Sequence, residues 1–237
     1  MMLSPQPEKK YRYNIRKGDG YFRTNVSVLG YCISQMRNGF SPLIIIVGKQ
    51  RVGKSFIAVW LAYNISKFFN KEFDPIRNTF YDPEEVIRNL NTFQKQPIIV
   101  DEGGAVLSKN EWYSKISIAM DKIIQTQGWL SFCFIVCSPF GADVFKSFRK
   151  HFDMMIYVRK KGVFVVKKIP KKYDDMTGKV FKPYWLQQVK IKKGAVPADL
   201  WEAYDKYSKE KKKELSENVL MPQLRQDGRK IPLELMV

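Results

Sequence analysis

Apolar residues along this chain fall into two kinds of run, and the two kinds alternate. Leu43–Val47, Pro97–Val100 and Trp129–Val136 are short and nearly unbroken, as expected for strands covered on both faces. Between them the apolar positions recur three or four residues apart. Val26, Leu29, Ile33 and Met36 form one helical stripe, with Thr24 or Asn25 as its cap and Gly39 and Pro42 as its stop. Phe56–Leu61 begins a second helix, apolar on most of its surface, that runs to about Phe69. After a short strand at Asn78–Tyr81, Asp82 caps a third helix that opens at Pro83 and carries Val86, Ile87 and Leu90 on one face. Trp112, Ile116, Ala119, Met120 and Ile123 mark a helix reaching about Gln127, and Phe145, Phe148 and Phe152 mark another within Gly141–Phe152. This alternation predicts an α/β fold, a mostly parallel sheet with helices on both faces.

Beyond residue 152 the pattern changes. Asp153–Val158 and Val163–Val166 flank Lys160-Lys161-Gly162 and read as a hairpin, and Phe181–Ile191 adds a further strand. Pro197 opens a last helix, Ala198 to about Leu215, bearing Leu200, Trp201, Tyr204 and Leu215; its Lys211-Lys212-Lys213 run reads as a solvated face. The expected organisation is a basic flexible arm over 1–20 and an α/β core over 21–160. A small β-rich basic appendage over 161–196 continues the core sheet, and a C-terminal helix and tail fill 197–237.

Charge sharpens the picture. The net charge is +18 over 237 residues, and it is concentrated. Between Arg159 and Lys193 stand twelve Lys or Arg against Asp174 and Asp175. Such a cluster points to a polyanionic partner. Tyr157, Phe164, Tyr173, Tyr184 and Trp185 are interleaved with these cations, either as stacking surfaces for bases or as a small core. No apolar run approaches the length of a membrane span, and residues 1–18 have no apolar segment behind their charges. A cytoplasmic protein with no membrane span is therefore expected. Cys133 and Cys137 share a face if their run is a strand, and read as buried thiols in a reducing compartment rather than metal ligands. His151 is the only histidine, which excludes a His-based zinc cluster.

The candidate chemistry lies at the ends of two apolar strands. Leu43–Val47 runs into Gly48-Lys49-Gln50-Arg51-Val52-Gly53-Lys54-Ser55, followed at once by Phe56 and a helix. This is the Walker A pattern in its strand–turn–helix setting. Glycines at 48 and 53 allow close backbone approach, and the loop and helix N-terminus turn N–H groups toward phosphate oxygens. Lys54 reaches the terminal phosphates and the Ser55 hydroxyl can ligate Mg²⁺. The second strand ends Val100-Asp101-Glu102, the Walker B pattern, 47 residues after Lys54. Asp101 can hold the Mg²⁺ shell opposite Ser55, and Glu102 can orient and deprotonate an attacking water. Ser138, ending the strand that starts at Trp129, is a γ-phosphate sensor candidate or a turn serine before Pro139. Arg149 and Lys150 lie off their helix's phenylalanine stripe, as surface charges or as a finger reaching a neighbouring subunit's nucleotide.

With both motifs in place, the chain resembles the additional-strand P-loop ATPases. More narrowly, it is similar to the FtsK–HerA superfamily of DNA-pumping motors, viral genome-packaging ATPases and zonula-occludens-toxin-like phage proteins. The resemblance spans about residues 40–160. It is carried by GKQRVGKS, DPEEVIRNL, IIVDEGGAVLS, the helix ending IIQTQG, and SFCFIVCSP followed by FKSFRKHFDMMIYV. It implies a RecA/FtsK-like sheet with a strand between the two Walker strands. It implies ATP and Mg²⁺ as cofactors, with Lys54 and Ser55 on phosphate and metal, Asp101 on the metal and Glu102 on the water. It further implies a hexameric ring that moves double-stranded DNA, with a capsid or morphogenesis partner. Relatives often carry an arginine after the helix that ends here in Gln125-Thr126-Gln127, where this chain has Gly128 and Trp129. Two other functions fit the same residues: a helicase or helicase loader acting on single strands, and an ATP-switched assembly or export factor. A small-molecule kinase would need an acceptor-site or lid signature that the sequence does not show.

Overall fold

The structure, a computed structural model, describes residues 12–17, 20–101, 130–138, 152–170, 184–192, 194–215 and 217. The described chain begins with a hairpin of β1 (Tyr13–Lys17) and β2 (Gly20–Thr24), followed by α1 (Ser27–Arg37), β3 (Leu43–Val47) and α2 (Lys54–Phe68). Then come β4 (Thr79–Phe80), α3 (Pro83–Asn89), β5 (Pro97–Val100), β6 (Cys133–Ser138), β7 (Met154–Lys160), β8 (Val163–Lys168), β9 (Tyr184–Lys190) and α4 (Ala198–Leu215). The helices expected over 112–127 and 141–152 fall outside the described residues, apart from Phe152 itself.

Seven strands form one sheet in the order β4-β5-β6-β3-β7-β8-β9. The strands from β4 through β7 are mutually parallel, whereas β8 and β9 join antiparallel. The fold is therefore α/β with a mostly parallel sheet. The continuous apolar strands have their explanation in the layers. Ile44 and Ile46 of β3, with Cys133, Ile135 and Cys137 of β6, face a core built with α1 and α2. The alternate residues Leu43, Ile45, Val47, Phe134 and Val136 face a second core that includes Val86 and Leu90. A strand covered on both sides has no position where water would favour a polar residue. All three cysteines are buried and free of disulfides, and burial pushes the Cys32 thiol well above its ordinary range.

Three boundaries differ from the sequence expectation, each for a local reason. The basic arm expected through residue 20 contains β1, whose Ile15 enters the core against α1 and α2. Gly30 of α1 makes that docking possible, because a Cβ there would fall inside the ring of Tyr13. Lys17 then donates to the Lys67 carbonyl at 3.0 Å, satisfying a group at the C-terminal end of α2. The strand expected from Trp129 begins only at Cys133, since Ser131 adopts a left-handed φ of +54° that turns the chain first. Finally, neither Thr24 nor Asn25 is the cap of α1. Val26 occupies that position and has no capping side-chain bond of its own; its N–H donates to Thr24 Oγ1 at 3.1 Å, and the Ser27 N–H donates to Gln187 Oε1 of β9 at 2.8 Å.

The β-rich segment is not a separate lobe: β8 pairs along β7, and β9 along β8. Val158, Phe164, Val166 and Val189 take one face of it into the main core. The opposite face carries Tyr157, Arg159, Lys167, Trp185 and Lys190, by the strand alternation and register. Of the interleaved aromatics, Phe164 is core, whereas Tyr157, Tyr184 and Trp185 are exposed by 42%, 53% and 38%. Tyr173 lies outside the described residues. Among the described residues no helix is long and apolar enough to cross a membrane.

One buried carboxylate ties β7 to β3. Asp153 Oδ2 accepts the Leu43 N–H at 2.8 Å, the Asp153 N–H donates back to the Leu43 carbonyl at 2.8 Å, and the Tyr31 hydroxyl also bonds to this carboxylate. Asp153→Ala strips two donors of their acceptor inside the fold. It is expected to lower stability by about 2–3 kcal/mol, read as a shifted urea midpoint with an unchanged slope.

Candidate functional site

The site grows from the place where β3 stops. Gly48 follows the strand, and a Cβ there would stand 2.9 Å from the Val158 carbonyl oxygen, so the loop lies flat against β7 only because position 48 has no side chain. Gly53 takes a φ of +93° and ends the loop against the Lys161 backbone, where an added Cβ would come within 3.3 Å of its Cα. Gly48→Ala is accordingly expected to cost about 1–3 kcal/mol of stability through overpacking, measurable by thermal unfolding.

Gly53 is the N-cap of α2 and provides no capping side chain. The first-turn N–H groups of any α-helix lack intrahelical partners, so a helix opening from glycine presents its dipole and donors to whatever fills the loop. Lys54, the first helical residue, is 5% exposed, and its Nζ donates to the Gly48 carbonyl at 3.2 Å and the Lys49 carbonyl at 3.0 Å. The ammonium thus lies across the loop mouth. Lys49, Gln50 and Arg51 are exposed at the loop tip, with Arg51 left-handed at φ +58°. Val52 is half-buried, and Phe56 turns its ring away from the loop to meet Trp201 edge-on at 5.3 Å.

The second half of the site arrives on β5. Asp101 follows that strand, fully buried, with its N–H donating to the Phe80 carbonyl of β4 at 2.9 Å. Its carboxylate meets the Ser55 hydroxyl, which lies 3.1 Å from Oδ1 and 3.2 Å from Oδ2. The glycine-rich loop and the strand-end acid, separate in sequence, therefore converge on one point. The strand between them in space is β6, and its last residue, Ser138, pairs in register with Val47 and is buried. Glu102 and Arg149, the water-orienting and finger candidates, lie outside the described residues.

One contributor was not expected at all. Tyr204 of α4 is 2% exposed and donates its hydroxyl to Asp101 Oδ2 at 2.6 Å. Lys212, two turns further along the same helix, brings its Nζ to 3.4 Å from that oxygen and sits 5.9 Å from the centre of the Tyr81 ring. Lys212 stays exposed, as the solvated-face reading of the 211–213 run expects, yet its ammonium also reaches the buried carboxylate. Trp201 completes the contact, stacked on Tyr204 with centroids 5.3 Å apart. Burial first, and the Asp101 charge second, push the Tyr204 hydroxyl well above its ordinary range, which keeps it protonated as a donor. The only sequence sign of this arrangement is the spacing of Tyr204, Ser208 and Lys212, four apart and so on one helix face.

Among the described residues no group of three or more His, Cys, Asp or Glu side chains could hold a metal ion. The donors that are present, one hydroxyl and one carboxylate, suit a hard cation that keeps most of its shell for water and phosphate oxygens, as Mg²⁺ does. A loop whose glycines leave room for no side chain suits the phosphates themselves. Comparison with protein-family models and with curated proteins finds no match to this chain.

Proposed function

We propose that this protein is a Mg²⁺-dependent ATPase of the additional-strand P-loop type that translocates DNA, acting in the packaging of a viral or plasmid genome. One observation carries the reading: the Ser55 hydroxyl rests on the Asp101 carboxylate at the mouth of a glycine loop guarded by Lys54. The position of β6 between β3 and β5 supports the additional-strand class. In this scheme the loop and first-turn N–H groups orient the triphosphate, and the Lys54 ammonium leaves the loop carbonyls for the terminal phosphate oxygens. Ser55 and Asp101 would hold Mg²⁺, which would supply neutralisation of the phosphate charge. Glu102, next to Asp101 in the chain, takes the proton of the attacking water. Subunits assemble as a hexameric ring so that a cation from a neighbour completes each site, with Arg149 as a candidate.

The face of β7–β9 turned away from the main core supports the DNA part of the proposal. Arg159, Lys167 and Lys190 share it, and Arg159 is steadied by a 3.2 Å bond to Gln188 Oε1. Replacing all three by Ala is expected to weaken DNA binding across sequences and to reduce the slope of log affinity against log salt by about three. Tyr157 and Trp185 stand exposed among these cations, which favours a second reading, a helicase or loader that stacks single-stranded bases. ATP turnover measured with each nucleic acid decides between them. Stimulation by duplex supports the packaging motor, stimulation by single strands supports the helicase, and turnover indifferent to both points to the assembly-factor class.

A further inference from the structure

The last helix reaches the candidate metal site by a route the two motifs do not require. Tyr204, Ser208 and Lys212 form a single ridge on α4, and Tyr204 and Ser208 are buried. Trp201 and Phe56 fix the near end of this ridge against α2, while Tyr207 and Tyr81, 6.0 Å apart, fix its middle against the chain leaving β4. The Cα atoms of residues 204 and 212 are separated by about 12 Å along a helix axis. Side chains on a helix lean toward its N-terminus, so a long lysine can return over that gap to the point a tyrosine reaches directly. Both arrive at the same atom, Asp101 Oδ2.

We propose that α4 equips the ATPase site with two devices: Tyr204 is a positioning residue that fixes the Asp101 carboxylate, and Lys212 is an internal cation that holds the metal's place until Mg²⁺ and nucleotide displace it. The proposal rests on the ATPase reading given above. The two contacts differ in kind. The tyrosine bond is short, buried and neutral on the donor side, so it can persist beside a bound cation and leave Asp101 Oδ1 directed at Ser55. The lysine contact is longer, and the Lys212 side chain is 42% exposed, so its charge is screened and its departure returns it to water. A divalent ion carries twice the charge and bonds directly or through a water. Exchange of one for the other keeps the carboxylate compensated at every stage and moves no proton. It also couples the distal half of α4 to the loading of the site, because the anchor at Trp201 stays while the contact at Lys212 is released.

Equilibrium binding of a fluorescent ATP analogue, titrated with Mg²⁺, tests both roles without reference to turnover. Tyr204→Phe keeps the ring that stacks on Trp201 and removes only the hydroxyl. It should raise the Mg²⁺ concentration for half-maximal nucleotide binding about tenfold, while binding in EDTA is unchanged. Lys212→Met, at a partly exposed position, should lower that concentration about threefold by removing the competitor. Wild-type Mg²⁺ dependence in both variants would overturn the proposal while leaving the ATPase reading intact. A rise with Lys212→Met would show that the lysine assists the metal rather than standing in for it, and would overturn its half. Absence of any nucleotide binding by the wild-type chain would overturn the ATPase reading and this one with it.

Discussion

Lys54→Ala should lose nucleotide affinity by about a hundredfold or more, measured with a fluorescent ATP analogue, while the chain still unfolds cooperatively. A charge-assisted hydrogen bond contributes roughly 1.5–3 kcal/mol, and the Lys54 ammonium can donate to oxygens of two phosphates at once. Its present partners are the carbonyls of Gly48 and Lys49, at the loop itself, so the same side chain needs only a short swing to reach a phosphate in the loop. Lys54 is 5% exposed, so the variant is also expected to unfold at a somewhat lower temperature, with the transition still cooperative. Retained affinity in this variant would mean that the loop holds something other than a triphosphate.

Glu102→Gln should bind ATP as well as the wild type and hydrolyse it about 10²–10⁴-fold more slowly, the usual contribution of a general base. The two effects separate because the residue acts on water, whereas Asp101, its neighbour, already has its carboxylate committed to Ser55, Tyr204 and Lys212. Single-turnover hydrolysis beside equilibrium binding checks both halves. Unchanged turnover would transfer the water-orienting role to another residue.

Much of the fold was legible because its signals are local. β3 and β5 announce themselves as unbroken apolar runs, and the start of α4 at Ala198 follows directly from Pro197. Gly53 specifies its own conformation through a φ of +93°, whereas the need for Gly48 shows only once the Val158 carbonyl lies against it. What escaped detection depends on distant partners. Gln187 holds the start of α1 from 160 residues away, a contact with no signature in the residues around Ser27. Gly30 reads as a weak point in a helix until the Tyr13 ring lies on it. Lys212 is as exposed as Lys211 beside it in the lysine run, and only the course of α4 past Asp101 distinguishes it. The convergence of Ser55 and Asp101 was expected from motif logic, whereas Tyr204 as a third party to it belongs to no motif.

The central claim is that a triphosphate and its magnesium occupy the space between the glycine loop and Asp101. Calorimetric titration of the wild-type chain with a non-hydrolysable ATP analogue, in Mg²⁺ and again in EDTA, tests it most directly. Saturable binding at one site per chain, weakening at least about tenfold when the metal is removed, is the expected result. Absence of saturable binding, or an affinity indifferent to the metal, would contradict it.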